Sequence, residues 1–191
     1  MNASLSRTFR ALRYRNFRLF FIGQGLSVMG TWLQQVAMSW LTYRLSGSVW
    51  LLGVVAFCGS AGILLFGTFA GVVADHVHRR RALRITQSLA LLQALALAGL
   101  TWSGLIAVWH LIVLALWLGL VSAFDVPLRQ ALWVHLVDDR ADLPNAIALN
   151  SFLVNSARVI GPAIAGLLLA VTGETVCFAL NALSFVAVIV A

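Results

Sequence analysis

Asp125, Pro127 and Arg129 close a stretch, Ile85 to Phe124, that contains no Asp, Glu, Lys or Arg. Four positions apart, the carboxylate and the guanidinium can meet across one helical turn. Pro127 has no N–H, so it frees a backbone carbonyl in the same turn, a polar group that only a neighbour or a cavity can satisfy. A carboxyl group held between burial and a nearby cation can exchange a proton when either influence changes, which makes Asp125 the candidate proton-sensitive group. Arg158 is the second unusual charge. A lone arginine at the centre of a membrane helix costs roughly 2.5–3.5 kcal/mol by insertion scales, so it requires water or a counter-charge, and Asp125 can pair with either Arg129 or Arg158.

These charges fall on polar stripes. Gln24, Ser27, Thr31 and Gln35 recur in steps of three and four and so share one helical face, as do Ser151, Asn155, Arg158 and Pro162. Single Gln or Ser residues in such helices serve mostly as interhelical glue. Two stripes, one of them charged, point to a water-filled cavity. Catalysis and metal binding find no constellation: His76 and His78 stand in a basic loop, His110 and His135 lie apart, and no Cys or carboxylate cluster completes a ligand set. No cofactor and no enzymatic activity are expected.

The elements that position these residues must be membrane helices. The chain is 61% hydrophobic and only 10% charged, against roughly 25% charged in a soluble domain, so a water-facing surface cannot be built from it. Cys58 and Cys177 both lie in apolar runs, which suits packing rather than a disulfide framework. A hydrocarbon layer about 30 Å thick takes about 20 helical residues, and spans are expected at 17–43, 49–74, 83–103, 107–136, 144–171 and from 175 onward. The uncharged run is too long for one crossing, so a hairpin is expected near Ser103-Gly104 or Val108-Trp109-His110. The segment from Asp125 could also lie along the interface, but "ALWVHLV" is apolar nearly all round, which favours one helix over 107–136.

Orientation follows from arginine bias. Arg7, Arg10, Arg13, Arg15 and Arg18 precede the first span, Arg79, Arg80, Arg81 and Arg84 flank the link between spans two and three, and Arg140 lies in the link after span four. The opposite links hold only Arg44. A cytoplasmic N-terminus is expected, with lipid rather than nucleic acid around the arginines. Small residues, as in "GSAGILLFGTFAG" and "GPAIAG", allow close helix approach. "FFIGQGLS" against "LWLGLVSA" does not amount to an internal repeat.

"GVVADHVHRRRAL", residues 71–83, resembles the loop motif between spans two and three of the major facilitator superfamily, Gly-x-Leu-Ala-Asp-Arg-x-Gly-Arg-Arg-x-x-Leu. Gly71, Ala74, Asp75, Arg79, Arg80 and Leu83 match in register; Val73, His76 and His78 depart from it. "NSARVIGPAIAG", 155–166, is similar to the span-five motif of that superfamily's antiporters, with Gly161, Pro162 and Gly166 in place and Ala148, Ala157 and Ala165 standing where the fuller pattern has glycine. The run from Phe124 to Ser151, with "CFALNALSF", resembles the bacterial exporter subgroup that includes the enterobactin exporter.

The resemblance implies an all-α polytopic protein in which residues 1–191 form a six-transmembrane-helix bundle, the N-terminal half of a twelve-helix fold whose second half lies beyond this sequence. Substrate would bind near the midplane between the halves and move by rocking of one against the other. Proton-coupled efflux of a siderophore, drug or other amphipathic small molecule is implied, with Asp125, Arg129, Arg158, Asn155, Gln24 and Gln35 at the cavity and the coupling site. Gly71, Asp75, Arg79 and Arg80 would form the gating loop, and Gly161, Pro162 and Gly166 the helix-packing motif. A lysophospholipid or other solute importer of the same fold, or a non-transporting membrane scaffold, remains open.

Overall fold

The computed structural model describes residues 10–133 and 139–190; Arg7, His135 and Asp138 lie outside them, as do the side chains of Trp133 and Arg140. Six helices follow one another: α1 Arg15–Ser46, α2 Val49–His76, α3 Arg79–Trp102, α4 Val108–Trp133, α5 Leu143–Thr172 and α6 Glu174–Val190. Short 3₁₀ turns at Arg10–Arg13 and Arg140–Asp142 precede α1 and α5. No strand occurs among the described residues.

Turn chemistry sets the boundaries. Gly47 ends α1 in the left-handed region (φ 62°) and donates its N–H to the Tyr43 carbonyl at 2.7 Å, a conformation that costs glycine no Cβ clash. Ser48 then caps α2 by accepting the Leu51 N–H. The α2–α3 link is only Val77-His78, both at negative φ, so His78 makes the tight connection without the glycine of the family pattern. The hairpin falls at Ser103–Ala107, with Gly104 at φ 71°. There the His110 ring accepts the Ala107 N–H at 3.0 Å and caps the start of α4. Asp125 and Arg129 both lie within continuous α4, so the single-helix reading of that segment holds up to Trp133.

Four of the helices, α2, α3, α4 and α5, are long and apolar enough to cross a membrane. The 32-residue α1 has the length, but Gln24, Gln34 and Gln35 dilute its apolar run; α6, at 17 residues, falls short in length alone. Large apolar side chains stand bare around the bundle, among them Leu64 at 76%, Leu167 at 70% and Phe69 at 62% exposed. Water would not tolerate a surface of that kind, but lipid would. This is a multi-pass membrane protein.

Packing joins α2 to α4, α1 to both α5 and α6, and α3 to both α6 and α4. Exchanging α1 with α4, α2 with α5 and α3 with α6 maps these principal contacts among themselves, α2·α4 onto α5·α1, α1·α6 onto α4·α3, and α3·α6 onto itself; the lesser α1·α2 and α5·α6 contacts have no comparable counterpart. The bundle therefore contains two three-helix units in pseudo-symmetric arrangement, although the sequence shows no repeat. Glycine makes two of the equivalent crossings. A Cβ on Gly62 would lie 2.2 Å from the carbonyl carbon of Gly119, and one on Gly161 would lie 2.8 Å from Trp32 Cβ, so α2 meets α4, and α5 meets α1, with no room for a methyl group. Gly71 and Gly166 behave differently, since a Cβ at either meets open space. Within the span-five motif only Gly161 is a tight packing glycine.

Candidate functional site

The Asp125 carboxylate is the hub of a buried site on α4. Its Oδ2 accepts from Arg129 Nε at 2.6 Å, and the two side chains are each 12% exposed. Its Oδ1 accepts from Thr86 Oγ1 at 2.7 Å and Gln87 Nε2 at 2.6 Å, both on α3. Thr86 also lies 2.9 Å from the Leu83 carbonyl, but a hydroxyl has one proton and the shorter, charge-assisted bond takes it. Arg129 extends to Ser27 Oγ on α1 at 3.5 Å, so the site links three helices. The helical rise of 1.5 Å per residue puts Asp125 about 12 Å from the end of α4 and Thr86 about 10 Å from the start of α3, both measured from the arginine-rich end.

Each partner is placed by local structure. The α-helical spacing aligns Arg129 under Asp125, and consecutive Thr86 and Gln87 both turn inward where α3 lies against α4. Pro127, between the two charges, leaves the Ala123 carbonyl without its helical donor. Two buried amide oxygens, Gln87 Oε1 beside the carboxylate and Gln24 Oε1 one turn from Ser27, have no donor among the described residues. Unsatisfied acceptors of this kind are rare in folded interiors.

The other expected residues spread outward from this hub. Arg129, not Arg158, is the cation that Asp125 meets. Arg158 lies exposed half-way along α5, with no ion-pair partner among the described residues. Asn155, exposed one turn before it, donates to the Ser151 carbonyl. Pro162 leaves the Arg158 carbonyl itself without a helical donor. The α1 stripe divides: Gln24 and Ser27 are buried, with Gln24 near Asn150 at 3.4 Å, whereas Thr31 and Gln35 emerge on the open face. Gln35 lines a cleft of about 900 Å³ between α1, α2 and α5, with Trp32, Ser39, Tyr43, Leu52 and Gly166. Asp125 and Arg129 are enclosed in the bundle and do not line that cleft, which differs from the expectation that they face a cavity. In the loop motif, Asp75 and Arg80 are exposed at the helix ends, and Arg79 opens α3.

Three further polar groupings were not anticipated. Gln34, Gln93 and Asn181 form a buried amide chain: Asn181 Nδ2 donates to Gln34 Oε1 at 2.8 Å, Gln34 Nε2 to Gln93 Oε1 at 3.0 Å, and Gln93 Nε2 to the Leu114 carbonyl at 3.1 Å. A lone Gln93 inside "SLALLQALALAGL" was the available signal, because an isolated amide in an apolar span requires partners. Asp142, in the link before α5, is 1% exposed and accepts Arg10 and Arg13, each at 2.8 Å, and Tyr14 Oη at 3.0 Å. Asn145 Oδ1 accepts the Ala11 N–H beside it, and the Arg13 guanidinium is held above its ordinary value chiefly by its bond to the Tyr14 hydroxyl. At the opposite end Glu174, 7% exposed, lies 3.4 Å from Arg44. Among the described residues Asp125 is therefore one of three buried acids, and the one deepest along its helix.

A six-helix polytopic bundle with internal three-helix pseudo-symmetry and a buried charge pair defines a class of membrane protein whose helices surround a polar interior. The chain belongs to the major facilitator superfamily: the model of the transmembrane secretion effector family matches residues 6–191. Among curated proteins it is similar to the staphyloferrin A transporter of Staphylococcus aureus, 36% identical over 169 residues, which covers 88% of this chain and 42% of that protein. It is also similar to the multidrug efflux pump Tap of Mycolicibacterium fortuitum, 28% identical over 149 residues, 75% of this chain and 36% of that protein. The chain thus spans less than half the length of these relatives. No solved structure matches it significantly.

Proposed function

We propose that residues 1–191 are the N-terminal half of a twelve-helix, non-enzymatic secondary transporter in the bacterial inner membrane. It exports a siderophore, drug or similar amphipathic small molecule by alternating access, in exchange for protons. The names of the two relatives support the substrate classes. The arginines at one end of the bundle support a cytoplasmic N-terminus. The aromatic, amide-bearing cleft around Trp32, Gln35 and Tyr43 has the apolar walls and sparse polar groups that suit an amphipathic ligand.

The observation that carries the coupling role is the Asp125–Arg129 pair with its donors from α3 and α1. Protonation of Asp125 would release Arg129 and loosen the tie among three helices, so proton binding and helix arrangement are linked through one carboxylate. The complete protein, purified and reconstituted in liposomes, tests this. Asp125→Asn should abolish substrate movement driven by a pH gradient while leaving substrate exchange at equal pH intact. Normal gradient-driven transport by a well-folded Asp125→Asn protein would move the coupling site elsewhere.

A further inference from the structure

Near the arginine-rich end, α2, α3 and α4 leave a groove of about 360 Å³ whose floor is Ala70, Ala74 and Leu128, all at most 3% exposed. Small side chains on α2 create it, since alanine at 70 and 74 leaves a channel that larger residues would fill. Ile85 and Leu89 of α3 form one wall, and these same two residues also line a second hollow of about 460 Å³ with Arg81, Arg84 and Ser88. The two spaces therefore adjoin across one ridge of α3, one apolar and the other carrying two guanidinium groups.

Arg81, Arg84 and Ser88 follow at spacings of three and four and so form a ladder on one face of α3. No carboxylate pairs with Arg81 or Arg84 among the described residues. Arg84 uses only its Nε, in a 3.5 Å contact with the Arg80 carbonyl. Two unpaired cations at the level where an apolar channel opens match an anionic phosphate joined to a hydrocarbon chain, and basic pockets between membrane helices take such headgroups. Orientation of the protein by its arginines needs charge but no groove, so the adjoining channel is what goes beyond topology.

We propose that this surface is a specific site for an anionic phospholipid, its phosphate on Arg81 and Arg84 and an acyl chain in the α2–α3–α4 groove. The groove also touches Thr86, which donates to Asp125, so an occupying chain would bear directly on the residue that holds the carboxylate. The site stands independently of what the protein transports.

Native mass spectrometry of the full-length protein in mild detergent, titrated with phosphatidylglycerol or phosphatidylcholine, tests it. One phosphatidylglycerol should be retained in preference to phosphatidylcholine. Arg81→Gln/Arg84→Gln should weaken it about thirty-fold, the factor given by two arginines each worth about 1 kcal/mol at the membrane surface. Arg15→Gln/Arg18→Gln, equally basic but away from the groove, should leave it unchanged, and Val73→Trp, which fills the groove, should weaken it with all arginines present. Equal loss in both arginine pairs would reduce the effect to diffuse charge and overturn the proposal. So would retention in Val73→Trp, or displacement of the lipid by inorganic phosphate at matched concentration.

Discussion

Removing one member of the Asp125–Arg129 pair and then both makes opposite demands on the bundle. In Asp125→Asn the Arg129 guanidinium loses the counter-charge it held at 2.6 Å and is left with neutral acceptors, the amide oxygen and the Ser27 hydroxyl at 3.5 Å, while its side chain stays 12% exposed. Stranding a buried charge in this way costs about 3–5 kcal/mol. Arg129→Gln is milder, because the carboxylate retains Thr86 and Gln87 as donors. Asp125→Asn/Arg129→Gln removes both charges together, so the second substitution should restore stability to the first, giving a coupling of at least about 2 kcal/mol in the double-mutant cycle. Reversible unfolding in detergent mixtures of increasing SDS content, followed by helical circular dichroism, measures each variant. If the double variant loses the sum of the two single losses, the groups act independently and the site as described is wrong.

Three other substitutions test separate parts of the structure. Gly62→Ala would place a Cβ 2.2 Å from the Gly119 carbonyl carbon, forcing α2 and α4 apart by more than about 1 Å; overpacking of this kind costs about 1–3 kcal/mol, and early loss of the monodisperse peak on heated size-exclusion chromatography should report it. Asp142→Asn removes the acceptor shared by Arg10, Arg13 and Tyr14, so trypsin should cut after Arg10 and Arg13 several-fold faster with no change in overall helicity. For orientation, a cysteine at Ala82 in a cysteine-free background should resist impermeant thiol reagents in intact cells and one at Gly47 should react; labelling at Ala82 from outside would reverse the assigned topology.

Much of the layout follows from local rules that need no distant information. Length and apolarity delimit the helices, Gly47, Gly104 and Gly173 mark three of the turns, and the spacing of Asp125 and Arg129 already brings them together on one helix. What escaped was pairing between distant residues. Arg13 and Asp142 are separated by 129 positions, so nothing local distinguishes a clamped acid from a solvated one. The same limit applies to Gln34 and Gln35. Both are polar and adjacent, and only the placement of α6 determines that Gln34 meets Asn181 while Gln35 faces the cleft. Gly166 shows the same limit, since a small residue can mark either a tight crossing or, as here, the wall of an open cleft.

The pseudo-symmetry of the packing bears on how such a bundle can move. The α2·α4 crossing is backbone-close at Gly62 and Gly119, the α5·α1 crossing seats the Trp32 side chain tightly on Gly161, and interfaces without slack cannot slide by small amounts. The amide chain through Gln34, Gln93 and Asn181 fastens α1, α3 and α6 in the same way, because shearing it would strand buried amides. Between them these contacts leave no pair of inner helices free to separate at low cost. The Asp125–Arg129 site is the exception in kind: its ties depend on charge rather than on close packing. On the proposed coupling role, a bundle locked by packing elsewhere would move as a rigid unit, and protonation of Asp125 would alter how α3 and α4 are held against α1 at one end.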